Sequence, residues 1–218
     1  MIGAVIAMQS EADILLQNMK ISRSLTVSGK QIHVGKAFGK DVALCICGVG
    51  KVNAALGTQL LVSKFDAEKI LNFGVAGGLN ETTKLCEVYQ ISAAVQFDFD
   101  LVQLNGTKIG TLNEYEENYL HLNLLPKSFE KRRLGTADRF NDSAEDYTLL
   151  TEELNADIRD MEGAAIVQAA FAASLPVYSV KAISDVAGSG STTEQFLINK
   201  DKALANLKAA LPAIFENL

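Results

Sequence analysis

Residues 41–75 read DVALCICGVGKVNAALGTQLLVSKFDAEKILNFGV, and this stretch decides the fold. It opens with an apolar run, turns at Gly48 and Gly50, and then carries apolar residues at helical spacing up to Phe65. A second apolar run starts at Lys69. Short, fully apolar runs are typical of strands buried on both faces of a sheet, so the pattern predicts a strand–helix–strand unit.

The same alternation extends to both ends of the chain. Further strands are predicted at 2–8, 22–27, 31–38 and 176–184. Further helices are predicted at 161–175 and from 193 onward. Strands that alternate with helices favour an α/β protein, and the two strands around residues 28–30 suggest an antiparallel hairpin. We therefore predict one domain over residues 1–218, a three-layer α/β/α arrangement around a central mixed sheet.

Composition excludes several classes of protein. The chain has 218 residues, 48% of them hydrophobic, and a net charge of −6, which argues against disorder and against a nucleic-acid partner. The apolar opening run is too short for a membrane span or a secretory signal, so no membrane partner is expected. An odd number of cysteines, three, without a paired framework favours a reducing, cytoplasmic setting.

Metal and cofactor motifs are not evident. His33 and His121 are far apart in the chain, and Cys45 and Cys47 have no matching second pair, so no metal site is expected. The glycine turn at 48–51 matches neither a phosphate-binding P-loop nor a dinucleotide fingerprint. We expect no cofactor, and the turn alone indicates a tight strand-to-helix connection.

Three acidic residues carry the first functional signal. Glu11 and Asp185 each follow an apolar strand, and Glu162 opens an Ala-rich helix. Any one of them alone is explained as a carboxylate that stabilises a helix N-terminus. Together at the carboxyl-end rim of one sheet, where α/β proteins bind ligands, they favour acid/base chemistry. Gly77 follows a third strand there and permits a ligand to approach the backbone closely.

Five segments, in order, resemble the nucleoside phosphorylase/hydrolase family. They are IAMQSE at 6–11, GVGKVNAA at 48–55, NFGVAGG at 72–78, DMEGAA at 160–165 and AISD at 182–185. The resemblance implies a nucleoside phosphorylase-like fold. The most similar branch hydrolyses the N-ribosidic bond of 5′-modified adenine nucleosides such as methylthioadenosine and S-adenosylhomocysteine, with water as the second substrate.

The resemblance also implies a role for each acid. Glu11 matches the residue that activates the attacking water, Glu162 the residue that binds the ribose hydroxyls, and Asp185 the residue that helps protonate the leaving adenine at N7. Independent chemistry agrees, because breaking a ribosyl C–N bond builds positive charge on the sugar and leaves a base that needs a proton.

Further binding residues come from the same resemblance. Met161 matches a residue that packs on the sugar, and Ser184 lies beside Asp185. Phe140 matches an aromatic that stacks on the base, Asn141 a residue whose backbone hydrogen-bonds it, and Phe196 a residue that closes the pocket. Val75 stands where a serine often assists the water, and Lys181 replaces an arginine that is common in the family.

Several alternatives remain open at the level of sequence. Phosphorolysis is disfavoured because the arginine expected before the NFGVAGG segment is missing and a buried phosphate needs a cation. A hydrolase of a futalosine-type nucleoside and a nucleoside-binding protein that has lost catalysis are the other two. The family resemblance also implies a homodimer.

Overall fold

The computed structural model describes residues 1–113, 115–126, 129–140 and 142–218. Its strands are β1 (Ile2–Ile6), β2 (Met19–Val27), β3 (Lys30–Ala37), β4 (Lys40–Ile46), β5 (Lys69–Gly78), β6 (Val88–Gln96), β7 (Leu120–His121), β8 (Lys131–Thr136), β9 (Ile158–Asp160) and β10 (Val177–Val186). Its α-helices are α1 (Gln9–Leu16), α2 (Lys51–Phe65), α3 (Val102–Asn105), α4 (Ala144–Thr148), α5 (Gly163–Ala172) and α6 (Thr192–Glu216). A π-helical turn, Leu149–Glu153, continues α4.

The strands form one mixed sheet, as the sequence predicts. Its order is β10-β6-β8-β9-β5-β1-β4-β3-β2, with β7 beside β6 and a further pairing between β10 and β5. The strands β4, β1, β5 and β10 run parallel to one another. The predicted hairpin is β2–β3, and β3 continues antiparallel into β4.

Strand β5 holds the sheet together because it pairs with three others. Its first half lies beside β1, its whole length lies beside β10, and its end pairs with β9 through Gly77 and Gly78. The strands β5, β10, β6, β8 and β9 therefore close into a ring. The sequence predicts only a mixed sheet, because β9 is three residues long and too short for a periodic pattern.

Helices cover the sheet on both sides, which confirms the three-layer arrangement. Helices α2 and α5 pack against each other, and Leu61 and Ile166 belong to the core on their side. Helices α1 and α6 cover the other side, where Leu207 and Phe215 are fully buried. In the described ranges no helix is both long enough and apolar enough to cross a membrane.

Element boundaries differ modestly from the predicted ones. The helix predicted at 161–175 begins at Gly163 with Glu162 as its N-cap residue, because the chain before it extends into β9. Between β6 and β7 the described residues are irregular apart from α3. Helix α6 continues through Pro212, as the predicted C-terminal helix requires.

We expect Leu207→Ala to lower the free energy of unfolding by about 2–5 kcal/mol, because it leaves a cavity under α6. Chemical denaturation measures the change. Ile198→Ala in the same helix is the matched control: its side chain is 77% exposed, and we expect a change within about 0.5 kcal/mol. Equal effects of the two substitutions would contradict this account of α6 packing.

Candidate active site

A cavity of about 370 Å³ opens at the carboxyl ends of β1, β5 and β10. Nine residues that the sequence singles out line it: Glu11, Val75, Gly77, Phe140, Met161, Glu162, Ser184, Asp185 and Phe196. Asn141, the tenth, lies outside the described residues. The structure thus brings together side chains separated by more than half the chain, and their individual roles stay predictions.

Glu11 lines this cavity from the first turn of α1, and its side chain is buried. One carboxylate oxygen accepts a hydrogen bond from the Val75 backbone N–H at 2.8 Å, and the other accepts one from the Met8 N–H at 3.0 Å. A side chain on residue 74 would not fit, because a Cβ there would lie 2.3 Å from the Glu11 Oε1. Glycine at position 74 therefore leaves the space that the Glu11 carboxylate occupies.

Glu162 enters the cavity from the start of α5. Its Oε1 accepts a hydrogen bond from the Gly50 N–H at 2.8 Å. Gly50 has φ of 101°, a conformation that glycine adopts without strain. The glycine turn after β4 therefore orients a carboxylate instead of holding a phosphate. Burial, with Asp160 acting in the same direction, raises the pKa of Glu162 to about 7 against the opposing influence of Lys181 and the Gly50 N–H.

Behind these two acids lies a buried ion pair between Lys181 and Asp160. The Lys181 Nζ is 2.9 Å from the Asp160 Oδ2, and both side chains are 3% exposed. Asp160 also accepts hydrogen bonds from the Thr136 hydroxyl and the Gly163 N–H, so it is fixed from several sides. Burial alone would lower the pKa of Lys181, but Asp160, Glu162 and Glu11 outweigh burial and raise it. The lysine stays charged and serves three carboxylates.

Asp185 lines the same cavity from near the end of β10. Its Oδ1 accepts a hydrogen bond from the Ser184 hydroxyl at 2.8 Å. Its Oδ2 is buried and has no hydrogen-bond partner. Burial raises the pKa of Asp185, although Ser184 and Arg159 oppose the effect. A carboxyl group with one free, buried oxygen is suited to carry a proton toward a ligand.

Glu11 and Asp185 are held by different partners. Burial raises the pKa of Glu11 too, but Lys181 and two backbone N–H groups oppose that rise and stabilise its anion. Asp185 receives a single hydroxyl, from Ser184, and the neighbouring Arg159 opposes the rise of its pKa. Burial therefore raises the pKa of both carboxyl groups, and the two groups differ in the hydrogen bonds that hold them.

The rim near Asp185 is apolar and aromatic. The rings of Phe140 and Phe196 meet edge to face, with centroids 5.8 Å apart at 69°. Phe140 is 50% exposed and Leu197 beside it is 72% exposed. Exposed apolar side chains on the mouth of a cavity are suited to cover a flat, apolar ligand.

Arg159 and Asp160 are cavity residues to which the sequence analysis gives no role. Asp160 belongs to the DMEGAA segment, so the sequence indicates that it lies near the site. Its partner Lys181 lies in an apolar run typical of buried core, so the sequence does not indicate the ion pair. Arg159 directly precedes that segment, and its direction follows only from the pairing of β9 with β5. Among the described residues no group of three or more His, Cys, Asp or Glu side chains is arranged to hold a metal ion.

Sequence comparison finds a matching family model and named relatives. The family model described as phosphorylase superfamily matches residues 1–216. A 5′-methylthioadenosine/S-adenosylhomocysteine nucleosidase of Listeria innocua is 31% identical over 207 residues, which cover 88% of each chain.

Two solved structures resemble the fold closely. A nucleosidase of the same name from Colwellia psychrerythraea, in complex with adenine, has a TM-score of 0.89 and 26% identity, over 99% of this chain and 95% of the other. The futalosine hydrolase of Helicobacter pylori has a TM-score of 0.92 at 23% identity, over 100% and 97% of the two chains. At 23% identity, the likeness to the futalosine hydrolase shows a shared fold.

We expect Lys181→Met to move the acidic limb of the kcat/KM–pH profile to higher pH. Lys181 lowers the pKa of Glu11 and of Glu162, so its removal raises both, and a base with a raised pKa is protonated earlier as the pH falls. Breaking the pair also leaves Asp160 buried without its cation, which costs about 3–5 kcal/mol of stability.

Two matched variants sharpen this measurement. Lys181→Arg retains the charge and should keep the limb in place. Lys36→Met removes a lysine whose ion pair with Asp41 is exposed, and it should change neither the limb nor the stability. A folded Lys181→Met protein with an unmoved acidic limb would show that this lysine does not tune the acids.

Proposed function

The chain belongs to the phosphorylase superfamily, and we propose that it is a hydrolase that cleaves the N-ribosidic bond of 5′-modified adenine nucleosides. Its substrates are methylthioadenosine and S-adenosylhomocysteine, its second substrate is water, and it uses no metal or organic cofactor. The name of the 31%-identical relative supports this substrate class. One observation carries the proposal: a buried carboxylate, Glu11, is fixed by two backbone N–H groups opposite a second acid with a free oxygen, Asp185.

Glu11 acts as the general base. A water held by its carboxylate attacks C1′ of the ribose, the new C–O bond forms there, and the water's proton passes to Glu11. The C1′–N9 bond breaks at the same time, and its electron pair goes to the purine. Both Glu11 oxygens are fixed by the backbone, so the base is oriented before the substrate arrives.

Glu162 and Met161 hold the sugar. Met161 lines the cavity beside Glu162, where it can pack on the ribose ring while the carboxylate accepts hydrogen bonds from the ribose hydroxyls. Positive charge builds on the sugar as the bond breaks, and nearby carboxylates stabilise it. The turn at Gly50 keeps Glu162 aimed at that position.

Asp185 acts as the general acid. It gives its proton to N7 of the departing adenine, which leaves as a neutral base. Burial raises the pKa of Asp185, which favours its protonated form, and the Ser184 hydroxyl hydrogen-bonds the carboxyl group. Phe140 and Phe196 cover the base from the rim.

The charge at the sugar end favours water over phosphate as the nucleophile. Glu11, Asp160 and Glu162 outnumber Lys181, whose ammonium is already bound to Asp160. A phosphate dianion placed beside these acids would be repelled by them. Val75 also replaces a hydroxyl side chain with an apolar one at this position.

Association and location belong to the same proposal. Val52 and Leu56 on α2 are 70% and 54% exposed, and Leu104 on α3 is 80% exposed. Apolar side chains of this kind are suited to an interface, which supports a homodimer. Three free, buried cysteines agree with a reducing cytoplasm.

Product identification tests the activity directly. We expect incubation with 5′-methylthioadenosine to release adenine and free 5-methylthioribose at a rate that added phosphate does not change. Glu11→Gln should retain the fold and lose roughly 100-fold or more in rate. Formation of 5-methylthioribose 1-phosphate would show that the protein is a phosphorylase. Binding of the nucleoside without any adenine release would show that it is a catalytically inactive nucleoside-binding protein.

We expect Asp185→Asn to bind adenine nucleosides but cleave them roughly 100-fold more slowly, since an amide donates a hydrogen bond and cannot give up the proton. Cleavage of a nitrophenyl 5-methylthioriboside, whose leaving group departs without protonation, should be slowed much less. The measurement is the ratio of the Asp185→Asn rate to the wild-type rate on each of the two substrates. The same slowing factor on both would assign Asp185 an orienting role instead.

A further inference from the structure

The turn between β4 and α2 is held by side chains that the steps above do not use. Gly48 and Gly50 have φ of 89° and 101°, and glycine gives the backbone on either side of Val49 wide rotational freedom. The Gly50 N–H nevertheless points at the cavity, where it donates to the Glu162 Oε1 at 2.8 Å. A peptide group between two permissive residues keeps one direction only where other contacts hold it.

The peptide that joins Val49 to Gly50 is held at both of its ends. Its N–H and its C=O belong to one planar trans unit, so they point in opposite directions. The N–H donates to Glu162, and the C=O accepts a hydrogen bond from the Asn53 Nδ2 at 2.7 Å. A rotation of the peptide that breaks the bond to Asn53 would also turn the N–H away from the carboxylate. Asn53 therefore fixes the direction of the group that holds Glu162.

Asn53 is in turn held by Lys30. Lys30 is the first residue of β3, which pairs antiparallel with β4 and so begins where β4 ends. Its ammonium group donates to the Asn53 Oδ1 and to the Cys47 carbonyl oxygen. An amide whose oxygen accepts from an ammonium group keeps its NH2 turned to the other side, here toward the Val49 carbonyl. Lys30 thus fixes both the start of the turn and the side chain that orients it.

We propose that Lys30 and Asn53 are positioning residues that hold the Val49–Gly50 peptide in the orientation in which its N–H directs Glu162 toward the ribose. The inference rests on the proposed function, in which Glu162 accepts hydrogen bonds from the ribose hydroxyls. Val49 and Glu162 line the cavity, whereas the two positioning side chains contact the turn. A carboxylate that is oriented before the sugar arrives loses less freedom on binding, and this favours tight binding of the riboside.

Two substitutions remove this support at different points. Asn53→Ala deletes the donor to Val49, and alanine suits a position inside α2. Lys30→Met deletes the ammonium group. In each variant we expect kcat/KM for 5′-methylthioadenosine to fall about tenfold, as for the loss of one well-oriented hydrogen bond. The dissociation constant of free adenine should stay unchanged, because adenine has no ribose for Glu162 to hold.

Three further variants separate positioning from general support of the fold. Lys30→Arg retains a charged donor and should restore most of the activity that Lys30→Met loses. The double variant Lys30→Met/Asn53→Ala should lose no more than Asn53→Ala alone, because both side chains act on one peptide. In a Glu162→Ala background, Asn53→Ala should weaken binding of the nucleoside no further, since the group that it positions is absent.

Matched residues away from the turn provide the controls. Asn199 on α6 donates through Nδ2 to the Gln195 carbonyl at 2.9 Å, which is the same four-residue spacing as the bond from Asn53. Lys69 donates through its ammonium group to a backbone oxygen of Leu218, so Lys69→Met removes an equal charge. We expect Asn199→Ala and Lys69→Met to leave both kcat/KM for the nucleoside and the binding of adenine unchanged.

The possible outcomes are distinct. An unchanged kcat/KM in folded Asn53→Ala would overturn the inference and leave the proposed function standing. Equal weakening of nucleoside and adenine, or a further loss in the Glu162→Ala background, would also overturn it, since the pair would then support the cavity as a whole. Should Lys30→Met fail to fold, Asn53→Ala still decides. Failure of the folded wild type to cleave the nucleoside would instead defeat the proposed function itself.

Discussion

The ion pair between Lys181 and Asp160 is the interaction on which the site depends. Removing two charges from water is costly, and this pair is tolerated because Asp160 is also held by Thr136 and by the start of α5. In return, one ammonium group opposes the rise that burial causes in the pKa of Glu11 and of Glu162. The pair ties β9 to β10, so the position of the acids and the closure of the strand ring share one contact.

Glycines determine where the Glu11 and Asp185 carboxyl groups can lie. Without a side chain, residue 74 admits the Glu11 carboxylate against the backbone of β5, and residue 77 leaves room for Asp185 and Arg159 to approach from both sides. At these two positions strand β5 presents only its backbone. Glu11 from α1, Arg159 from β9 and Asp185 from β10 lie against it. The sheet provides a rigid surface, and the functional side chains come from strand ends and helix starts.

Much of this arrangement could be predicted from the sequence. Apolar runs that end in Glu11, in NFGVAGG and in AISD place those segments at one sheet edge, because parallel strands end together. The partner of Lys181 could not be predicted, since an ion pair inside an apolar strand depends on the register of a neighbour. The ring closure and the direction of Arg159 depend on β9, whose three residues carry no periodic signal.

Closing five strands into a ring also governs how copies of the chain meet. A strand in a closed ring has no unpaired edge to offer, which leaves β2 as the long free edge of the described sheet. That edge bears exposed Lys20 and Arg23, and its register with β3 is interrupted between Ile21 and Arg23. Charge and a local irregularity both discourage strand addition. Edge-to-edge pairing of sheets between molecules is thereby discouraged.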